Sequence, residues 1–318
     1  AAASTGEFEE MTWKFACSAT ETSPWVDGAK EFARIVGEKT GGAITVQYYP
    51  ADQLTAGNQT DGIQALMDGT TELSMHSNLI WSSFDQRFNV VSLPFLFSST
   101  EEADAALDGA GGEALGEILE STYNVHLLGI AENGFRHITN SKHAIASKAD
   151  MNGLKMRVAG SQLLNRSYEL WGAEVFTALQ TGTYDGQENP LPTADAASIQ
   201  EVQSYLTYWT GAYDCLFFCM NAELYNSLSP ELQAIVDEAG QAACEYEREL
   251  NRSQDQEIMD KWAEAGVEIT ELTPEAAAEF AEASAPVYDE FADELTPELI
   301  EAFTSVTQAD AGTTEPAA

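Results

Sequence analysis

Short segments of strand period alternate along this chain with longer segments of helix period, and that alternation narrows the architecture to α/β. WKFACSA (13–19) reads as a strand. Ser23 and Pro24 then supply an N-cap and a first helical position. Trp25, Ala29, Phe32 and Val36 fall on one helical face until Gly41-Gly42 stops it. AITVQYY (43–49) alternates as a strand with Ile44, Val46 and Tyr48 on one side. A helix near 58–68, a strand ELSMH (72–76) and a helix from Thr100 to about Ser121 follow. VHLLGIA (125–131) is a continuous apolar run, as expected of a strand covered on both faces.

The second stretch repeats this style. LKMRV (154–158) is a short strand, 161–171 a helix with Leu164, Tyr168 and Trp171 on one face, and 174–181 another helix. DCLFFCMN (214–221) is the next buried strand. Three helix starts share one grammar: Ser229-Pro-Glu, Thr273-Pro-Glu and Thr296-Pro-Glu place a hydroxyl at the N-cap, proline at N1 and an acid in the first turn. From Pro230 the pattern stays helical to about Glu264 with no proline, roughly 50 Å at ~1.5 Å per residue. A helix of that length exceeds one small lobe, so it packs across two lobes or breaks near Gly240. The opening residues and the Ala/Thr-rich end have little to pack and are expected to be loose.

Charge excludes some partners. Fifty-two acids against fourteen bases leave a net −38, which argues against nucleic acid or an anionic membrane. Residues 220–303 alone hold 22 acids and only Arg248, Arg252 and Lys261. No apolar run approaches the ~20 residues needed to span a membrane. The opening AAASTGEFEE resembles a mature exported chain after signal removal, although a cytoplasmic chain could begin the same way. The four cysteines, Cys17, Cys215, Cys219 and Cys244, form no CxxC or Cys/His cluster, so no metal or other cofactor is expected. Cys215 and Cys219 sit about 13 Å apart on one strand face and cannot bridge. Buried thiols are the default, with a cross-strand bridge from Cys17 the alternative.

Nothing asks for catalysis. GxSxG, HExxH, a P-loop and GxGxxG are all missing, and GAGGEALG (109–116) reads as a helix start. With so many acids, neighbouring carboxylates carry no meaning. An anion site is better supported, because residues 136–166 gather six of the fourteen bases: Arg136, Lys142, Lys148, Lys155, Arg157 and Arg166. The lysines read rather as ordinary surface, the two arginines as the candidates. Arg136 follows a glycine at the end of a buried strand. Arg157 lies on a strand whose neighbours Met156 and Val158 point the other way. A buried arginine needs a partner, and a ligand carboxylate fits its planar fork bidentately. In DGQENPL (185–191), Asn189 can both donate and accept.

The chain resembles the substrate-binding proteins of tripartite ATP-independent periplasmic (TRAP) transporters, of the dicarboxylate-binding-protein type. The matching residues run from Trp13 to about Leu272. They include FARIVGEKTGG (32–42), YYPADQL (48–54), LPFLF (93–97), ENGFRHITNS (132–141), EVQSYLT (201–207) and SLSPELQAIV (227–236). GLKMRV (153–158) and TALQTGTYDGQENPL (177–191) are the most specific. The resemblance implies a periplasmic-binding-protein-like fold of two α/β lobes with a ligand cleft and a long lobe-spanning helix. It implies closure on a small organic carboxylate and delivery to TRAP permease subunits. Arg157 would grip the carboxylate, with Arg136 and Asn189 lining the same cleft. By position Ser18, Thr20, His76, Ser77, Asn78, Trp81, and Trp209 to Asp214, including Tyr213, would face the ligand. Trp81 and Trp209 read equally as core, and His76 as a satisfied core polar group.

The expected division is a flexible lead over 1–11, lobe one over 12–133 plus about 214–250, lobe two over 134–213 plus about 251–303, and a disordered tail over 304–318. Family members usually carry a further segment between Ala173 and Glu174, which gives a lobe-two strand and an aromatic that packs on the ligand. Its loss leaves an altered pocket, unless the sequence in hand skips those residues. The expected protein is a periplasmic or otherwise extracytoplasmic receptor, with a lipid anchor left open, a monomer as is usual in the family, and no enzyme. A ligand-presenting sensor is the alternative, and a secreted hydrolase a distant third.

Overall fold

The structure, a computed structural model, describes residues 8–176 and 184–311, with side chains as far as Ser305. In chain order the strands are β1 Met11–Cys17, β2 Ile44–Tyr49, β3 Leu73–Ser77, β4 Val125–Phe135, β5 His137–Asn140 and β6 Lys155–Arg157. Then come β7 Glu174–Phe176, β8 Gly186–Asn189, β9 Tyr205–Tyr208, β10 Tyr213–Asn221 and β11 Glu268–Glu271. They form two mixed sheets, each with its own helices, which is the α/β architecture read from the sequence. The chain divides into two compact units. Unit one runs to Ser77 and adds Ala114–Glu132 and Cys215–Ser253; unit two takes Asn78–Glu113, Asn133–Asp214 and the residues from Gln254 on.

Unit one is built on the sheet β2-β1-β3-β10-β4, with β1 parallel to β2 and β3, and β10 antiparallel to β3. The stripe Trp25, Ala29, Phe32 and Val36 of the helix Pro24–Lys39 is buried against it, as its spacing predicts. Phe32 meets Phe218 of β10 edge to face with ring centroids 5.1 Å apart. Each such side chain contributes roughly 1.5–3 kcal/mol of burial. The helix Pro230–Glu264 is continuous for 35 residues, ~52 Å, and crosses the Ser253/Gln254 division. Gly240 does not break it. A Cβ there would lie 2.6 Å from Leu128 Cβ and 2.8 Å from Leu128 O, so the glycine lets β4 approach the helix. All four cysteines are buried free thiols, and Cys17 makes no bridge. Burial pushes the Cys17 thiol up to about 12.

Unit two is built on the sheet β11-β9-β5-β8-β6-β7. Met156, Tyr168, Trp171, Trp209 and Phe280 form one core cluster. Leu206, Ile258, Trp262 and Val267 form another. Met156 and Leu206 belong to opposite rows of the alternating sheet, so the two clusters cover opposite faces.

Several expectations are corrected. Glu174–Phe176 is a strand pairing parallel with β6, not the start of a helix, and residues 177–181 lie outside those described. The unpaired edge of β6 is a stronger local determinant than the helical pattern of EVFTAL. The single helix over Thr100 to Ser121 is two, Thr100–Leu107 and Ala110–Tyr123. Residues 78–113 cluster with unit two rather than the first lobe. Phe95 packs edge to face on Trp171 and Trp209, Ser161 Oγ donates to Asn89 Oδ1 at 2.6 Å, and Tyr288 OH donates to Pro94 O at 3.0 Å. At the ends, β1 already begins at Met11 and the helix Pro297–Ala311 occupies the first half of the expected tail. Residues 1–7 and 312–318 lie outside those described.

Candidate functional site

The three residues of β6 alternate between the two faces of the unit-two sheet. In β6, Met156 enters the core with Trp171 and Phe280, while Arg157 points the other way. Arg157 pairs in register with Phe176 of β7 and Gln187 of β8, and Gln187 with Thr139 of β5. Phe176, Arg157, Gln187 and Thr139 therefore form one row, and Asn189, two residues beyond Gln187, shares its face. Glu188 belongs to the opposite, core face. Gly186 makes this pairing fit, since a Cβ there would come within 2.3 Å of Thr139 O.

Arg157 is half-buried, and its Nε is buried with no hydrogen-bond partner among the described residues. Among the described residues its guanidinium makes no ion pair. The other cationic side chains differ. Ten of them meet a carboxylate, and Arg248 donates to Ile130 O at 3.0 Å. Only Lys148 and Lys155 remain beside Arg157. Lys155 is exposed and Lys148 half-exposed, so water solvates both.

Arg136 is the contrasting case. Its side chain is buried, Nε donates to Glu188 Oε2 and NH1 to Asp214 Oδ2, while NH2 reaches Glu188 O and Asn189 Oδ1, both at 3.0 Å. Burial alone would lower its pKa, but the fields of Glu188 and Asp214 outweigh that and hold the guanidinium above its ordinary value. The two acids are anchored in turn. Ala159 N donates to Glu188 Oε1 at 2.8 Å, and Asn133 Nδ2 to Asp214 Oδ2 at 2.7 Å. The donors of Arg136, expected to line the ligand site, hold two buried carboxylates and the Asn189 amide. Asn189 Nδ2 donates to Gln187 Oε1, and Gln187 Nε2 to Thr139 Oγ1 at 2.8 Å. This relay fixes both amides beside Arg157.

The remaining candidates are placed as follows. Trp209 is a core ring packed on Phe95, Trp171 and Phe280; its Nε1 donates to Arg136 O at 2.9 Å and its backbone N to His137 Nδ1 at 3.2 Å. Burial pushes the His137 imidazole down to about 3, with the Trp209 bond opposing. Trp81 is buried against Phe84 and Phe88, and Tyr213 against Phe97 and Phe135. Asn78 donates to Phe88 O and Ser92 Oγ, both at 3.0 Å. Core packing thus accounts for Trp81 and Trp209. In unit one, Ser18 follows β1 and Ser77 ends β3. His76 is fully buried, its Nε2 2.9 Å from Asp52 Oδ1, which pins the YYPADQL turn to β3. Gln187 and Phe176 were not singled out from sequence. The i, i+2 spacing of Gln187 and Asn189 was a usable signal for the first, whereas Phe176 depends on the β6–β7 register.

Among the described residues no group of three or more His, Cys, Asp or Glu side chains could hold a metal ion. No helix among them is long and apolar enough to cross a membrane. A two-unit α/β body in which, among the described residues, the half-buried Arg157 guanidinium makes no ion pair is the arrangement of a solute-binding protein. The chain belongs to the bacterial extracellular solute-binding protein family 7, whose sequence profile matches residues 15–295. It is a non-catalytic transport receptor of the TRAP type, a periplasmic family that binds small organic acids and works with a TRAP permease. It is 32% identical over 277 residues to the 2,3-diketo-L-gulonate-binding periplasmic protein of Escherichia coli, covering 85% of this chain and 84% of the relative. The sugar acid binding protein of Advenella mimigardefordensis, solved with galactonate, superposes with a TM-score of 0.88 at 28% identity, covering 95% of this chain and 99% of that one. A TRAP periplasmic solute-binding protein of Sulfurospirillum deleyianum, solved with succinate, gives 0.83 at 29% identity, covering 94% and 100%.

Proposed function

We propose that this protein binds a small organic acid by a bidentate pair between the ligand carboxylate and Arg157, and delivers it, as an exported monomer in the periplasm, to a TRAP membrane permease. One observation carries the reading: among the described residues Arg157 Nε is buried without a partner, whereas the other guanidinium groups all have protein acceptors. A buried, unmatched donor costs free energy that a ligand oxygen restores. The carboxylate supplies two acceptors in the plane of the fork, and charge-assisted bonds of this kind contribute about 1.5–3 kcal/mol each. Asn189 and Gln187, oriented by Arg136 and Thr139, each keep an amide N–H for a second ligand oxygen. Organic acids held by solved relatives, galactonate and succinate among them, support the ligand class.

The test is a thermal-shift screen against organic acids, followed by calorimetry on wild type and Arg157→Ala. A ligand at a hundredfold excess over its dissociation constant stabilises the folded protein by about 2.7 kcal/mol. Arg157→Ala is expected to fold normally and bind more than tenfold more weakly. Unchanged affinity in that variant refutes the assignment.

A further inference from the structure

We infer that Thr139 is a positioning residue for ligand selection: through Gln187 it makes the site prefer acids that carry a hydroxyl or carbonyl oxygen on the carbon next to the carboxylate. The inference rests on the Arg157 reading above and narrows it. All the residues concerned belong to unit two.

Polarity is passed along a line of side chains that starts at Arg136. A guanidinium donates and cannot accept. Arg136 NH2 therefore fixes the Asn189 amide with Oδ1 toward it, at 3.0 Å. Asn189 Nδ2 is left facing Gln187 and donates to Oε1. That in turn leaves Gln187 Nε2 facing β5, where Thr139 Oγ1 accepts it at 2.8 Å. Turning either amide over would set an N–H against an N–H. Thr139 is 1% exposed and Gln187 9%, so water is a poor substitute for the hydroxyl that ends the line.

Gln187 stands in register with Arg157 on the neighbouring strand, and neighbouring strands run ~4.8 Å apart. A carboxylate held by Arg157 brings its adjoining carbon beside the Gln187 amide. Among the described residues only one of the two Nε2 hydrogens has an acceptor, the one bonded to Thr139. A ligand oxygen on the adjoining carbon accepts the other, whereas a methylene there leaves it unmet. Thr139 acts without touching the ligand, because its hydroxyl keeps the Gln187 nitrogen in place to donate.

The experiment uses pairs of equal charge and matched skeleton, so that Lys155 and the acidic surface act on both members alike: 2-oxobutanoate with butanoate, mandelate with phenylacetate, and galactonate with 2-deoxygalactonate. Each acid is titrated calorimetrically into the full chain and into Arg157→Ala, Gln187→Leu, Thr139→Val and Thr139→Ser, with Thr139→Ala replacing the valine variant should that one not fold. In wild type the oxygenated member of any pair that binds is expected to be about tenfold tighter or more, the worth of one otherwise unmet hydrogen bond. Gln187→Leu should abolish that ratio and Thr139→Val should shrink it severalfold, while Thr139→Ser, which keeps the hydroxyl, should preserve it. A packing defect alone would weaken both members together and leave the ratio where it was. Equal affinities within the pairs in wild type, or a wild-type ratio in Thr139→Val, overturns the inference; if that binding is lost in Arg157→Ala, the carboxylate site itself stands. Binding that survives in Arg157→Ala, or no binding by any of the acids, overturns both readings.

Discussion

Replacing Arg136 with methionine removes a cation that pairs with two buried carboxylates, Glu188 and Asp214. The side chains of Glu188 and Asp214 are 0% exposed and that of Arg136 is 4% exposed, so water cannot take over the role of the guanidinium. Removing one partner from a buried charge cluster costs about 3–5 kcal/mol, because the remaining charges stay desolvated. For a body of this size each kcal/mol corresponds to ~2–4 °C, so the melting temperature should fall by roughly 6–20 °C. Urea denaturation followed by tryptophan fluorescence is a suitable assay, since Trp209 donates to Arg136 O and should respond directly. Adding Asp214→Asn to the variant should recover part of the stability, because it removes one of the two unpaired charges. A variant whose unfolding free energy lies within about 1 kcal/mol of wild type would refute a structural role for Arg136.

Two buried titratable groups predict opposite pH slopes. Glu247 is held well above the usual carboxyl range by burial; the Glu132 N–H, Arg248 and Arg252 oppose this, while the Glu132 charge adds to it. The folded state therefore binds a proton that the unfolded state releases near pH 4.3, and stability falls as pH rises from there through the raised value. Glu247→Gln should flatten that slope in melting temperatures taken between pH 5 and 8; parallel slopes would sink the argument. His137 behaves in the reverse sense, because burial pushes it down to about 3 while the unfolded chain titrates near 6.5. Its stabilisation is present above the unfolded value and lost on acidification, at about 1.4 kcal/mol per pH unit. His137→Gln should lose less stability than wild type between pH 6.5 and 5 in urea titrations; an equal loss in the two proteins would contradict it.

Legibility in the sequence followed the range of the interactions. The capping hydroxyls at Ser229, Thr273 and Thr296 accept from the backbone three residues on, as their Pro-Glu sequels predict. The stripe of Trp25, Phe32 and Val36 could be read because a helical face is a property of its own spacing. Glu174–Phe176 could not, because a three-residue strand exists only through pairing with β6, and its local pattern is equally helical. The roles of the arginines split along the same line. That Arg157 opposes Met156 follows from strand alternation alone. That Arg136 is already taken does not, because Glu188 and Asp214 lie 52 and 78 residues away in a chain with acids everywhere.

The sequence by itself determined the α/β class, the long helical run from Pro230 to Glu264, though not whether Gly240 breaks it, and the concentration of scarce cations around Arg157. These follow from local periodicity, caps and composition, which act over a few residues and need no knowledge of the fold. Only the tertiary structure decided which of the two arginines meets protein carboxylates. Strand register put Glu188 on the core face with Arg136, and Gln187 with Phe176 on the face of Arg157. The alternating pleat turns a one-residue difference in sequence into opposite sides of a sheet. Arg136 was thereby given two protein carboxylates, while Arg157 meets none among the described residues.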